Sequence, residues 1–300
     1  GVKVKFIPQN APFLDFMGSM KEMGKDQIAF LSKLDRVRHL WKSSLLISIL
    51  SHFNLEYSKR ETEIIEENAP KLIAEWILEN KSRNPSKVFS ELIHSTSTSK
   101  LSRFLKDTDR VFDTKLTDEI QSAVYVFIDK IDQAVSNLPK DCWINVQVAL
   151  IEATWEIVSN NNHVKIYASI RQEAFGNFIS DVKNNIFNHA TQLEYVKEDI
   201  IGIMDQLSEV YEDIPSFQEF VSIAKVSSKF HLQSEEAFDY INRHTVGRPR
   251  DFVILAEAIS SMKNNLTEQR FKSLVTKTSE DIIISKNKAE MSNNTYLLDW

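Results

Sequence analysis

Glycine and proline are scarce, six and seven in 300 residues, far below a usual combined share of about 12%. Folds of many short strands need a turn every dozen residues or so, and this chain has too few turn-formers for a sandwich or a propeller. Cysteine occurs once, at Cys142. That excludes a disulfide framework and a multi-cysteine zinc site, and it suits a reducing cytoplasm. Charge of either sign is not in large excess: 36 Lys and Arg face 42 Asp and Glu, for a net −6, so no global basic field draws nucleic acid. No apolar run approaches the roughly 20 residues of a membrane span, and no signal-peptide pattern is visible. A chain opening on Gly1 instead of methionine reads as processed, tagged or truncated. What is present, rich in Leu, Ile, Lys, Glu and Ser, reads as mostly helical with a few strands.

Val2–Ile7 alternates and stops at Pro8, the pattern of a short strand. From Asp26 to His52 apolar residues recur at helical spacing, among them Ile28, Leu31, Leu34, Val37, Leu40, Trp41, Leu45 and Ile49. Glu61–Glu79 and Ser86–Ile93 continue as amphipathic helices. His94–Lys100 is a Ser/Thr cluster without periodicity and predicts an exposed loop; Lys106–Asp118 is a second polar stretch. The character then changes. Ala123–Ile128 is a continuous apolar run of β-branched and aromatic residues, the look of a strand covered on both faces. A helix over Trp143–Ser159 and a second β-rich run, Val164–Ile170, complete a strand–helix–strand unit with parallel strands. Beyond Ala174 everything reads as helical, over about 176–190, 197–212, 215–230, 234–242, 249–262 and 267–275. No internal repeat is visible. A boundary near residue 190 separates a sheet-bearing half, 1–190, from an all-helical half, 191–300.

Three places could carry chemistry. The strand 123–128 runs into Asp129-Lys130-Ile131-Asp132. A buried strand ending in an acid is a Walker B arrangement, whose carboxylate faces the crevice where phosphates and Mg²⁺ gather. Mg²⁺ takes hard oxygen ligands and keeps several waters, so one aspartate can suffice. The plain alternative is a solvated acid after a buried strand. The second place is Arg171, at the end of the neighbouring strand, whose guanidinium matches phosphate oxygens bidentately; the plain alternative is a pair with Glu173 or a surface acid. The third is Gly247-Arg248-Pro249-Arg250-Asp251, opening a helix. Pro suits a first helical turn and Gly a sharp entry. Two arginines at an end that prefers anions make sense around a bound anion, or as solvated side chains of an ordinary helix start.

These three, in this order and spacing, resemble P-loop ATPases of the STAND/AAA+ class, in particular bacterial members related to origin-recognition-type AAA+ proteins. Phe127-Ile128-Asp129-Lys130-Ile131-Asp132 is similar to the "IDRLD" Walker B variant, Ile166–Arg171 to the sensor strand, and Gly247–Asp251 to the "GRPRD" motif of the lid. Val2–Ile7 resembles the strand after the P-loop helix, Leu40–Leu46 the Trp-bearing helix, and Leu193-Glu194-Tyr195 with Ile200-Ile201 the start of the helical lid. Tyr296–Asp299 resembles the segment leading to a following domain. The resemblance implies an α/β fold: a parallel-sheet, P-loop NTPase-like core lacking the P-loop, then a helical lid. It implies a nucleotide switch of a bacterial signalling or phage-defence protein that binds ATP and Mg²⁺. Asp129 would bind Mg²⁺, Asp132 would support the ion or the attacking water, Arg171 would read the terminal phosphate, Arg250 would bridge lid to phosphate, and Arg248 would meet the same anion or a neighbouring subunit.

Two departures stand out. A Walker A loop needs G-x-x-x-x-G-K-[ST], and the nearest stretch, Gly18–Asp26, is one residue too long and places Asp26 where the hydroxyl belongs. ATP and Mg²⁺ are therefore conditional on a P-loop outside this chain, upstream of Gly1. Lys130 also stands where AAA+ proteins place a catalytic glutamate, leaving Asp132 as the nearest spare carboxylate. The alternative function is a non-catalytic scaffold or regulatory domain that keeps the NTPase fold and acts through a partner protein. Self-association or an effector protein is the expected partnership. A third reading, contact with nucleic acid, would use Lys225, Lys229, His231, Arg243, His244, Arg248 and Arg250. The seven histidines show no metal-ligand spacing, and Cys142, beside Trp143, has no triad partner and reads as a packed thiol.

Overall fold

The computed structural model describes residues 10–53, 71–79, 84–95, 97–111, 123–177, 179, 182–227, 234–245, 247–262 and 266–285. The strand expected over Val2–Ile7, the first part of the helix expected over Glu61–Glu79, and Lys229, His231 and Tyr296–Asp299 lie outside them. The chain divides into two compact units, residues 1–190 and 191–300. Both are mainly helical.

The first unit is organised on one helix. Periodicity after Asp26 becomes two helices, α2 (Lys25–Leu31) and α3 (Leu34–Phe53), broken at Ser32-Lys33, after α1 (Asn10–Lys21). From Leu40 to Ser51 every residue of α3 is buried. The serines tolerate this because Ser44 and Ser51 donate their hydroxyls to the carbonyls of Leu40 and Ile47, four residues back, hiding the polar atom in the helix itself. Around α3 stand α4 (Lys71–Glu79), α5 (Pro85–Ser95), α6 (Thr98–Val111) and, after the first strand, α8 (Lys140–Asn160), with α5 and α8 its main neighbours. Trp41 is wholly buried. It packs against Phe89 at 4.4 Å between ring centroids and Phe16 at 6.3 Å, and its Nε1 donates to the Val146 carbonyl at 2.9 Å. Burial of one such ring is worth roughly 4–6 kcal/mol by area, before the ordering entropy is subtracted.

The sheet of this unit has two described strands. β1 (Val124–Ile128) and β2 (Val164–Ala168) pair in parallel, with Val124 opposite Val164 and Ile128 opposite Ala168, and α8 forms the crossover between them. A short helix α7 (Ile131–Ala134) follows β1; α9 (Gln172–Gly176) and α10 (Lys183–Phe187) follow β2. The expectation that the strand is covered on both faces needs correction. Val124, Ile128 and Val164 are buried, but Tyr125, Phe127 and Tyr167 are exposed, with Phe127 and Tyr167 stacked at 5.0 Å. The continuous apolar run hid an alternation of core-facing and outward-facing residues. The Ser/Thr loop expected over His94–Lys100 is also corrected: α5 runs through Ser95 and α6 begins at Thr98, so this cluster is a helix end and a helix start, positions Ser and Thr favour.

The second unit holds α11 (Lys197–Glu212), α12 (Phe217–Val221), α13 (Ala237–Asn242), α14 (Pro249–Ser260) and α15 (Glu268–Thr278), which continues as a π-helical segment, Ser279–Ile284. Phe217, Phe220, Phe252, Leu255, Phe271 and Val275 lie in its core. It is not all-helical, as the sequence pattern suggested. A two-stranded antiparallel ribbon, β3 (Lys225–Ser227) with β4 (Ser234–Glu236), interrupts the helices and buries only Val226. Three-residue strands are too short to show a period of two. Among the described residues no helix is long and apolar enough to cross a membrane.

Candidate functional site

At the C-terminal tips of the two parallel strands the chain gathers polar groups. Asp129 is the first residue past β1. Lys130 follows with φ 63°, in the left-handed region, a conformation uncommon outside glycine. That turn leads directly into α7, which buries Ile131 and Ala134 and leaves Asp132 beside the tip. On the neighbouring strand the tip residue is Ser169. Its amide donates to the Ile128 carbonyl at 3.0 Å and its hydroxyl donates to Asp129 Oδ1 at 2.5 Å. β2 ends at Ala168, two residues before the expected end, so Arg171 is the N-cap of α9 and not the strand tip.

Arg171 nevertheless reaches the same place. Its Nε donates to Asp132 Oδ2 at 2.6 Å, and its amide donates to Gln147 Oε1 at 3.2 Å. Gln147 is buried and is itself fixed, since its Nε2 donates to the Trp143 carbonyl at 3.1 Å. Trp143 Nε1 in turn donates to the Asp132 carbonyl at 3.1 Å. Two residues of α8 thus hold the ends of α7 and α9 in register. Asp129, Asp132 and Arg171 therefore form one cluster. Sequence reasoning missed Ser169, Gln147 and Trp143; only Ser169 carried a usable signal, as a hydroxyl at the end of a β-rich run.

Arg248 and Arg250 belong to the second unit. Gly247 has φ +72°, which glycine adopts without strain, Arg248 is the N-cap and Pro249 opens α14. Both arginines are exposed, whereas Asp251 is buried in the first turn. Of the basic run considered for nucleic acid, Lys225 faces Glu236 at 3.8 Å and Arg243 faces Glu235 at 3.0 Å. Arg243 also lies over the Tyr240 ring, and His244 Nδ1 bonds the Tyr240 carbonyl. These cations are neutralised locally and do not form a bare stripe.

The near-miss for a phosphate loop is helical. Gly18–Lys21 is the end of α1, and Gly24 caps α2, its amide donating to Gln27 Oε1 at 2.7 Å. Gln27 Nε2 is 3.0 Å from the Ile93 carbonyl and His94 Nε2 is 3.0 Å from that of Ser19. A helix–turn–helix held in this way offers no cradle of free amides. Cys142 is buried, and that burial, with the Asp141 charge second, raises its pKa and so disfavours the thiolate. Among the described residues no group of three or more His, Cys, Asp or Glu side chains is placed to hold a metal ion.

The strand-tip cluster offers hard oxygens from Asp129 and Ser169 and a guanidinium from Arg171. That set can take a hydrated divalent cation and an anion side by side. Searches against family models, curated proteins and solved structures found no match for this chain.

Proposed function

We propose that this chain is the switch module of a nucleotide-binding ATPase of the STAND/AAA+ kind, acting in bacterial signalling or defence. The observation that carries the reading is the convergence of Asp129, Ser169, Asp132 and Arg171 at the C-terminal tips of parallel strands, where open α/β sheets bind their ligands. Asp129 and Ser169 are the oxygen donors that would hold Mg²⁺, an ion that neutralises phosphate charge. Asp132 holds Arg171 through Nε, and that guanidinium would read a terminal phosphate. Arg250 and Arg248, exposed at the start of α14, would be the second unit's own anion-reading groups, and nucleotide exchange would change how the module engages an effector. The phosphate cradle itself is supplied by none of the described residues.

That last point favours a second reading, a scaffold that keeps the fold and acts through a partner protein. Calorimetric titration with Mg²⁺-ATP separates the two. The switch reading expects binding by the full chain and at least a tenfold loss in Asp129→Asn. Equal binding by the variant overturns it, and absence of binding by the parent chain leaves an incomplete ATPase or the scaffold, which a chain extended upstream through the Walker A loop then separates.

A further inference from the structure

The first unit contains a cleft of about 420 Å³ between α3 and α8, lined by Arg38, Glu152, Trp155, Glu156 and Asn160 among others. The volume lies within the roughly 300–1,000 Å³ of small-molecule sites. It is separate from the strand tips. Gln147 marks the tip end of α8, and Glu152–Asn160 lie roughly 8–20 Å further along that helix at 1.5 Å per residue.

The lining is electrostatically unfinished. Glu152 and Glu156 stand four residues apart on one helix face, an arrangement in which like charges repel. Glu156 Oε1 receives Lys42 Nζ at 2.6 Å, but the Glu152 side chain has no hydrogen bond or ion pair among the described residues. Across the cleft, Arg38 Nε is buried without an acceptor among the described residues; the guanidinium's one ion pair is Nη2 to Asp35 Oδ1, at 3.6 Å. A buried N–H left unbonded destabilises the fold. Trp155 also lines the cleft, with the His189 ring centroid 5.2 Å from its own, and an indole attracts a cation. A simple cation would leave Arg38 unsatisfied and repelled, and a simple anion would face two carboxylates. A molecule carrying both charges answers both.

We infer that this cleft binds a free α-amino acid. Its carboxylate accepts from Arg38, its ammonium sits between Glu152 and the Trp155 ring, and its side chain fills the remaining volume. Bound there, it ties α3, the helix on which the first unit is organised, to its neighbour α8. This site does not depend on the nucleotide reading.

Thermal melting of the full chain with each of the twenty common α-amino acids, and with putrescine and succinate as probes that carry charge of one sign only, tests it. At least one amino acid should raise Tm saturably and change Trp155 fluorescence, a change lost in Trp155→Phe, while putrescine and succinate do neither. Glu152→Gln and Arg38→Met should each weaken binding at least tenfold. Both side chains reach solvent, so folding should survive, and the parent's fluorescence titration stands without them. No response to any amino acid, an equal response to putrescine or succinate, or unchanged affinity in both folded variants overturns the proposal.

Discussion

Lys42 and Arg171 are both cations held by carboxylates in the first unit, in very different surroundings. Lys42 is 5% exposed, inside α3, with Nζ 2.6 Å from Glu156 and 3.5 Å from Asp109, whose other oxygen meets His39 Nδ1 at 2.5 Å. Arg171 is exposed, at the N-cap of α9 beside the strand tips, with Nε 2.6 Å from Asp132 Oδ2. Burial turns the first network into a structural obligation, because each charge taken from water must find its partner or destabilise the fold by several kcal/mol. The second keeps water at hand and contributes little to folding. One cluster holds helices together. The other stands in water.

Removing one charge from each should therefore give opposite results. Lys42→Met leaves Glu156 and Asp109 without their shared cation, and since both retain some exposure the loss should be about 3 kcal/mol, near the lower end for a broken buried pair. Urea unfolding at pH 7 measures it, and a loss below about 1 kcal/mol would show that the burial is not binding the network. Arg171→Ala should cost under about 1 kcal/mol in the same assay, yet weaken Mg²⁺-ATP binding by tenfold or more if the strand tips are a nucleotide site. A variant that loses stability and leaves binding untouched would assign Arg171 to architecture instead.

The same contrast marks what was legible in the sequence. The strand–helix–strand unit was, because Ala123–Ile128 and Val164–Ile170 are apolar and β-branched and a helical pattern lies between them; the parallel pairing agrees. The interior of α3 was not. Apolar spacing marked the helix, but nothing local signalled that the polar Lys42, Ser43, Ser44 and Ser48 are buried with it, a tertiary fact. The stacked pair Phe127 and Tyr167 misled in the opposite direction, since apolar residues suggested cover that the described residues do not give. At the strand tips Asp129 and Arg171 could be nominated by position, but Ser169 and Gln147 emerge only once β2 is seen to stop at Ala168 and α8 to lie beside it.

The second unit offers a milder version of the exposed case, and the smallest expected effect. Glu268, in the first turn of α15, accepts the Ser227 hydroxyl at 2.5 Å and the Ser227 amide at 2.8 Å, and meets Lys272 Nζ at 2.9 Å. The Ser227 hydroxyl foremost, then Lys272, lowers its pKa from 4.5 to about 2. The folded state therefore prefers the carboxylate. The stabilisation is complete above the unfolded value of 4.5 and is lost as pH falls from there toward 2. Water surrounds this carboxylate, so the stability difference between the parent and Glu268→Gln should be small at pH 6, shrink below pH 4.5 and vanish near pH 2. Carboxyl ¹³C shifts give the sharper reading. A midpoint for Glu268 near the ordinary glutamate value of about 4.3 would mean that Ser227 does not hold it, and that the ribbon β3–β4 is not fastened to α15 through this side chain.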